Sequence, residues 1–233
     1  MTTISTLTES LGGAGGGLQA VLLDMDGTLV DTEDFWWQAE ASLFAEFGHV
    51  LDEADRAHVV GGPMTRVIDY LLSRTAVPHT PAELTVLINQ RFVDLLAGGV
   101  PLMPGAERLL NTLAAHGVPA ALVSASHRHV IDIVLRSLGA HHFAFSVAGD
   151  EVPRTKPHPD PYLTAAARLG ADPARCVVIE DAPTGVLAAE AAGCQVIAVP
   201  SVAAIEPAPG RTVLGSLEQV DLELLHALIA ARV

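Results

Sequence analysis

Four acidic side chains stand in two pairs, and each pair directly follows a run of apolar residues. Asp24 and Asp26 follow one run, and Glu180 and Asp181 follow another. An ionised aspartate needs no activating base to act as a nucleophile. Four carboxylates gathered in one crevice need a cation, and oxygen ligands of this kind suit Mg²⁺, which commonly takes a phosphate oxygen as well. These residue types therefore indicate phosphoryl chemistry assisted by Mg²⁺.

The segment D-M-D-G-T-L-V-D at 24–31 also has two simpler interpretations. Asp-Gly pairs are common in turns, so the segment could be an Asx-rich turn that ends a strand. It could also be a calcium loop, but the EF-hand pattern needs Gly at position six and Glu at position twelve. Counted from Asp24, those positions hold Leu29 and Phe35. The calcium loop is therefore excluded, and the turn stays open beside the catalytic interpretation.

Lys156 is the only lysine in the chain, which has twelve arginines. A compact ammonium that contacts both a phosphoryl oxygen and a carboxylate is one physical reason for keeping lysine at a single position. A chance surface lysine is the alternative. Its loop is rich in proline, from Pro153 to Pro161. We expect that loop to bring Lys156 to the edge where the acidic pairs lie.

Ser124 follows a further apolar run, in the sequence V-S-A-S. It could cap the next helix, and the same helix N-terminus would offer free N–H groups to an anion. A serine nucleophile would need an oriented base, and no G-x-S-x-G elbow surrounds Ser124. We therefore expect Ser124 to bind phosphate rather than attack it.

Short apolar runs alternate with longer amphipathic stretches after residue 17. The runs that predict strands lie at 18–23, 118–123, 143–147, 176–179 and 195–199. The patterns that predict helices between and after them lie at 106–116, 129–138, 160–169, 184–192 and 222–231. Apolar runs of this kind suit parallel strands that are covered on both faces. The alternation predicts an α/β fold with a doubly wound parallel sheet, in which all strands end at one edge.

One interval, residues 33–99, shows only helical patterns and interrupts the alternation between the first and second strands. We interpret it as an inserted all-helical cap, with hinges at 30–32 and 98–101, placed over the edge where ligands bind in doubly wound folds. Residues 18–32 and 100–233 would then form the core. Residues 1–17 end in a glycine-rich run and are expected to be a flexible leader.

The chain is acidic, with a net charge of −14 and 50% hydrophobic residues. Such a charge disfavours nucleic acid and anionic membranes as partners, and no protein partner is indicated. No run is long enough to span a bilayer, and no signal peptide is recognisable. Cys176 and Cys194 are expected to be buried thiols rather than a disulfide. We therefore expect a cytoplasmic protein that acts on a small molecule.

The chemical motifs, taken in order, resemble those of the haloacid-dehalogenase-type phosphatase superfamily. They are D-M-D-G-T at 24–28, Ser124, Lys156 in K-P-H-P-D-P-Y, and E-D-A-P-T-G at 180–185. The resemblance covers nearly all of the chain from residue 19 onward. The helical insertion is similar to the small cap of the branch that holds β-phosphoglucomutase, phosphoglycolate phosphatase and sugar-phosphate phosphatases. The resemblance implies a Rossmann-like core with a helical cap.

The resemblance also implies a role for each motif residue. Asp24 would form an aspartyl-phosphate, and Asp26 would protonate the leaving alkoxide and later activate water. Ser124 and Lys156 would hold the phosphoryl oxygens. The implied Mg²⁺ ligands are the Asp24 carboxylate, the Asp26 backbone carbonyl, Asp181, and Glu180 either directly or through water.

Three alternative activities differ in their requirements. A true haloacid dehalogenase lacks the second aspartate, so Asp26 argues against that activity. A β-phosphoglucomutase-like isomerase typically has His in a D-T-x-x-x-H pattern, where this chain has Trp36. Tryptophan cannot shuttle a proton, which favours hydrolysis. A catalytically silent regulator that binds phospho-ligands is the third alternative, and the complete catalytic set argues against it.

The start of the insertion, D-T-E-D-F-W-W, is more similar to sugar-phosphate phosphatases than to phosphoglycolate enzymes. We therefore expect hydrolysis of small phosphate monoesters, with sugar phosphates as the preferred class. One of the two tryptophans is expected to pack inside the cap instead of facing substrate. The candidates for substrate contacts are Glu33, Trp36, Trp37, Arg66, Ala125, Ser126, His127 and Arg128.

Overall fold

A parallel sheet of six strands forms the centre of the part of the chain that the computed structural model describes, residues 17–59 and 64–231. The order across the sheet is β3-β2-β1-β4-β5-β6. The doubly wound α/β prediction is therefore confirmed. The strands are β1 (Ala20–Leu23), β2 (Ala120–Val123), β3 (Phe145–Val147), β4 (Cys176–Glu180), β5 (Gln195–Ala198) and β6 (Arg211–Val213).

The helices fall into two groups along the chain. The first group forms the insertion that follows β1. Its helices are α1 (Glu33–Glu46), α2 (Glu53–Val59), α3 (Met64–Arg74) and α4 (Pro81–Leu96). Those that flank the sheet are α5 (Ala106–Ala115), α6 (Arg128–Leu138), α7 (Asp160–Leu169), α8 (Pro183–Ala191) and α9 (Leu222–Ala230). Among the helices described, none has the length and apolar character needed to cross a bilayer.

Both faces of the sheet are buried, which explains why the strands are continuous apolar runs. Along β1, Val21 and Leu23 belong to the core on one face, and Ala20 and Leu22 belong to the core on the other. Helices α5, α6 and α9 cover the first face, and α7 and α8 cover the second. The strands therefore end at a common edge that the covering helices leave accessible.

The sequence patterns predict five of the six strands in this sheet. Strand β6 was not predicted, because it has only three residues, all half-buried, and pairs with β5 alone at the edge of the sheet. The leader predicted at 1–17 lies outside the described residues except for Gly17. Cys176 and Cys194 are buried free thiols, as expected.

The two chain segments that connect the cap to the core lie side by side. The Asp31 N–H donates to the Pro101 carbonyl at 2.9 Å, and Val30 forms an antiparallel bridge with Leu102. Inside the cap, α1 packs on α4, and the Trp36 indole stacks on the buried Phe92 ring with centroids 3.7 Å apart. The base of the cap is thus held by backbone pairing close to the end of β1.

Candidate active site

A cavity of about 450 Å³ lies at the carboxyl edge of the sheet, between the strand ends and the cap. The sequence motifs meet there because β1, β2 and β4 are neighbours in the sheet. The motif side chains that line the cavity are Asp24, Asp26, Ser124, Lys156, Glu180 and Asp181. The predicted catalytic and metal-binding residues are therefore brought together in one place.

Lys156 crosses the floor of this cavity and is almost fully buried, with 5% of its side chain exposed. Its ammonium donates to Asp24 Oδ1 at 2.5 Å, to Glu180 Oε1 at 2.6 Å and to the Val123 carbonyl at 2.9 Å. Burial alone would lower the pKa of Lys156, but the carboxylates of Asp24 and Glu180 raise it above its usual value. Lys156 therefore remains a fixed positive charge at neutral pH.

Three carboxyl groups can share a cation in the cavity. Asp24, Glu180 and Asp181 each offer one oxygen within 4.8 Å of the others. Burial raises the pKa of Asp24 well above its usual range, and the Glu180 carboxylate raises it further. Burial also raises the pKa of Asp181 to about 7, against a hydrogen bond from Ser201. Lys156 alone does not offset this concentration of negative charge, so the donor set fits a hard divalent cation such as Mg²⁺.

Asp26 lies among three hydroxyl groups. Thr32 Oγ1 donates to Asp26 Oδ1 at 2.9 Å, and Ser126 and Ser124 donate to Asp26 Oδ2 at 2.8 and 3.3 Å. Burial raises the pKa of Asp26, and the three hydroxyls oppose that rise. A raised pKa helps a carboxyl group to carry a proton at neutral pH. Thr32 precedes α1, so one of these contacts comes from the segment that connects the core to the helical insertion.

Two residues beside Glu180, which are Tyr162 and Gly185, were not identified as site residues from the sequence. The fully buried Tyr162 donates its hydroxyl to Glu180 Oε1 at 2.7 Å, and its ring lies 5.0 Å from the Lys156 ammonium. Gly185, in α8, lies so close that a Cβ atom there would be 1.7 Å from Glu180 Oε1. Tyr162 ends the motif K-P-H-P-D-P-Y, but only the fold shows what it contacts.

Replacing Gly185 with Ala is expected to destabilise the protein, although the same change inside a helix normally stabilises by about 1 kcal/mol. The added methyl group would displace Glu180 from Lys156 and Tyr162, at a cost of about 1–3 kcal/mol for overpacking. Urea unfolding measures this cost. In the control Gly98→Ala, the new Cβ would meet only the Leu95 carbonyl, at 3.7 Å. Equal stability of Gly185→Ala and the parent would contradict the packing described.

Asp181 is held by side chains from two other segments. Ser201, in the loop after β5, donates a hydrogen bond to Asp181 Oδ2, and Thr28 Oγ1 donates to Oδ1 at 3.4 Å. Gly27 makes this arrangement possible, because a Cβ atom there would lie 2.2 Å from Asp181 Oδ2 and its φ of +74° disfavours other residues. Ser201 was not identified from the sequence, where it follows Pro200 without any motif.

Ser201→Ala is expected to weaken divalent-cation binding about tenfold, since partners that orient a ligand carboxylate commonly contribute 10- to 100-fold in affinity. Calorimetric titration with Mg²⁺ checks this without substrate. The matched control is Ser73→Ala, which removes a hydroxyl whose bond goes to the Tyr70 carbonyl in the cap. An unchanged Mg²⁺ affinity in Ser201→Ala would show that Ser201 does not orient Asp181 for metal.

The candidate substrate residues have different surroundings. Of these, Glu33, Trp36 and Ala125 line the cavity. Ser126 bonds to Asp26. Arg128 donates to Ser146 and Glu151 instead, and both of its terminal nitrogens are engaged in this way. Three further candidates, Trp37, Arg66 and His127, are not among the lining residues.

The sequence profile of the haloacid dehalogenase-like hydrolase family matches residues 21–199. The chain is 34% identical over 207 residues to hexitol phosphatase A of Escherichia coli (strain K12), covering 89% of this chain and 90% of that protein. It is 36% identical over 187 residues to a bifunctional riboflavin kinase/FMN phosphatase of Arabidopsis thaliana, covering 78% of this chain but 48% of that longer protein.

The fold also matches solved structures. A structure of mutant CbbY from Rhodobacter sphaeroides in complex with xylulose-(1,5)bisphosphate aligns with a TM-score of 0.73 and 27% identity. The alignment covers 90% of this chain and 99% of that one. The shared architecture therefore extends over the core and the helical insertion together.

Proposed function

This chain belongs to the haloacid dehalogenase-like hydrolases, and on that premise we propose that it hydrolyses small phosphate monoesters, with sugar phosphates as the preferred class. The observation that carries the proposal is the contact between Asp24, Lys156 and Glu180 at the cavity floor. It places a buried carboxylate beside a fixed cation, as phosphoryl transfer requires. The similarity to a hexitol phosphatase supports the substrate class.

In the first step of this proposal, an oxygen of Asp24 attacks the phosphorus of the ester. The bond to the leaving oxygen breaks, and Asp26 donates its proton to that oxygen. Lys156 and Ser124 hold the phosphoryl oxygens during the transfer. The step ends with an aspartyl-phosphate at Asp24, an alcohol and an ionised Asp26.

In the second step, Asp26 takes a proton from water, and the water oxygen attacks the phosphorus of the aspartyl-phosphate. The Asp24 carboxylate leaves, so inorganic phosphate is released and both aspartates return to their starting states. The carboxylates of Asp24, Asp181 and Glu180 and the Asp26 carbonyl are the proposed Mg²⁺ ligands. When bound, Mg²⁺ supplies positive charge that offsets the phosphoryl oxygens.

The cap completes the proposed site. The linkers at 30–32 and 98–101 would act as hinges whose movement admits substrate and then excludes water. Trp36 lies in the cavity wall, and an indole cannot act as a general acid or base at neutral pH, which favours hydrolysis over isomerisation. A cytoplasmic location remains a prediction from the sequence.

Release of inorganic phosphate from a panel of monoesters tests the proposed reaction. The panel should hold hexitol, hexose and glycerol phosphates and phosphoglycolate, each assayed with Mg²⁺ and again with excess EDTA. We expect release that depends on the metal, with the polyol and sugar esters preferred. No release from any ester would contradict the proposal, and a test for sugar-phosphate isomerisation would then follow.

A further inference from the structure

Both carboxylate oxygens of Glu180 accept hydrogen bonds from the protein. Oε1 accepts from the Lys156 ammonium at 2.6 Å and from the Tyr162 hydroxyl at 2.7 Å. Oε2 accepts from the backbone N–H groups of Asp181 and Ala182, at 3.1 and 3.3 Å. Among these four donors, the Tyr162 hydroxyl is the one that belongs to an uncharged side chain. The other donor to Oε1 is the ammonium that takes part in the proposed reaction.

The Lys156 ammonium has three N–H donors, and each already has an acceptor. The acceptors are Asp24 Oδ1, Glu180 Oε1 and the Val123 carbonyl. To hold a phosphoryl oxygen as well, Lys156 must give up one of these hydrogen bonds. Release of Glu180 leaves the ammonium bonded at the ends of β1 and β2, where the phosphoryl group must lie. Glu180 Oε1 also keeps a second donor, the Tyr162 hydroxyl, after that release.

Tyr162 lies behind the cavity floor. It belongs to α7, and it is fully buried in the same apolar cluster as Ala166 and Val178. It is not among the residues that line the cavity, so its effect on a substrate must pass through a neighbour. A phenyl ring alone would satisfy apolar surroundings of this kind. Packing therefore does not account for the hydroxyl, whose hydrogen bond goes to Glu180.

We propose that Tyr162 is a positioning residue that allows Lys156 to exchange Glu180 for a phosphoryl oxygen. The inference rests on the proposed function. During the exchange, Glu180 keeps one donor at Oε1 and two at Oε2, so neither oxygen loses all of its partners. Without the hydroxyl, Oε1 of this buried side chain would be left unpaired, which is costly for a charged group. Lys156 would then remain on Glu180 and hold the phosphoryl oxygen less well.

Tyr162→Phe removes the hydroxyl and keeps the ring, which lies 5.0 Å from the Lys156 ammonium. We expect this variant to bind inorganic phosphate about tenfold more weakly than the parent, the scale of one hydrogen bond to a charged group. Calorimetric titration with phosphate at saturating Mg²⁺ measures the affinity without turnover. The kcat/KM for the best ester of the panel should fall by a similar factor.

Tyr70→Phe is the matched control, at the other tyrosine of the chain. The Tyr70 hydroxyl also donates to a carboxylate, that of Asp55, but both residues belong to cap helices and neither lines the cavity. The control is expected to lose stability in thermal unfolding and to keep the phosphate affinity of the parent. Tyr162→Phe should keep cooperative unfolding, because its ring still fills the same space.

A double-mutant cycle tests whether the effect passes through Glu180. In Glu180→Gln, a neutral amide no longer holds the Lys156 ammonium by its charge, so the exchange with phosphate needs no help from Tyr162. Adding Tyr162→Phe to Glu180→Gln should therefore change the phosphate affinity by less than about threefold. An equal loss of affinity in both backgrounds would overturn the proposed route through Glu180.

The remaining outcomes separate this inference from the proposed function. If Tyr162→Phe binds phosphate as tightly as the parent, Glu180 needs no donor from Tyr162 once Mg²⁺ is bound. That result would overturn the inference and leave the phosphatase proposal standing. Loss of cooperative unfolding in Tyr162→Phe would also overturn it, since the hydroxyl would then be required for the fold. A parent that neither binds phosphate nor hydrolyses any ester would overturn the proposed function, and this inference with it.

Discussion

Asp24→Asn is expected to lower kcat by about 10⁴-fold or more, the scale seen when a nucleophile is removed. The amide cannot attack phosphorus, and no other described carboxylate has the same contact with Lys156 and the same place at the end of β1. Lys156 keeps its bonds to Glu180 and to the Val123 carbonyl in the variant. Because Asp24→Asn removes one negative charge from a cluster of buried carboxyl groups, we expect the fold to remain intact.

Phosphate release and urea unfolding together check this expectation. Asp34→Asn, the same chemical change at an exposed position of α1, serves as the control and should keep full activity. Activity of Asp24→Asn within tenfold of the parent would refute Asp24 as the nucleophile. Loss of cooperative unfolding in Asp24→Asn would show that Asp24 has a structural role that its contacts do not predict.

Removing the charge of Lys156 is expected to impair both catalysis and folding. Lys156→Met leaves the carboxyl groups of Asp24 and Glu180 buried without their partner, which commonly costs about 3–5 kcal/mol. Loss of a donor that stabilises developing charge lowers kcat by about 10²- to 10³-fold. Because Mg²⁺ can replace part of the missing charge, it should stabilise Lys156→Met more than it stabilises the parent.

Lys156→Arg keeps the positive charge but changes the positions of the nitrogen donors. The ammonium reaches three oxygens from a nearly closed space, and a planar guanidinium cannot place its nitrogens at the same point. We therefore expect Lys156→Arg to remain at least about a hundredfold less active than the parent. Thermal unfolding with and without Mg²⁺, and phosphate release, measure these effects. Near-normal activity in Lys156→Arg would show that a positive charge alone is sufficient.

The sheet and the meeting of the motif residues could be predicted because both follow from local patterns. Continuous apolar runs indicate strands that are buried on both faces, and parallel strands end at the same edge. Asp24, Ser124 and Glu180 were therefore expected to meet once β1, β2 and β4 were recognised as parallel strands of one sheet. The resemblance in motif order supported the same arrangement.

The contacts that orient the motif residues could not be predicted in this way. Tyr162 reaches Glu180 from α7, and Ser201 reaches Asp181 from a loop 20 positions along the chain. Neither residue has a spacing that indicates its partner. The hydrogen bonds of Arg128 to Ser146 and Glu151 were not predicted from the sequence either. Such contacts depend on tertiary packing.

The central claim is that phosphate is carried on Asp24 between the two steps, and trapping the phosphorylated enzyme tests it most directly. Asp26→Asn should slow attack by water and so prolong the phosphorylated state. A labelled aryl phosphate, whose leaving group needs no proton from Asp26, would be mixed with this variant and Mg²⁺, quenched with acid, and the chain digested and mapped. We expect label on the peptide that contains Asp24, and none when Asp24→Asn is added to the variant. Label on another residue, or hydrolysis by the parent with no labelled chain in any variant, would contradict the account.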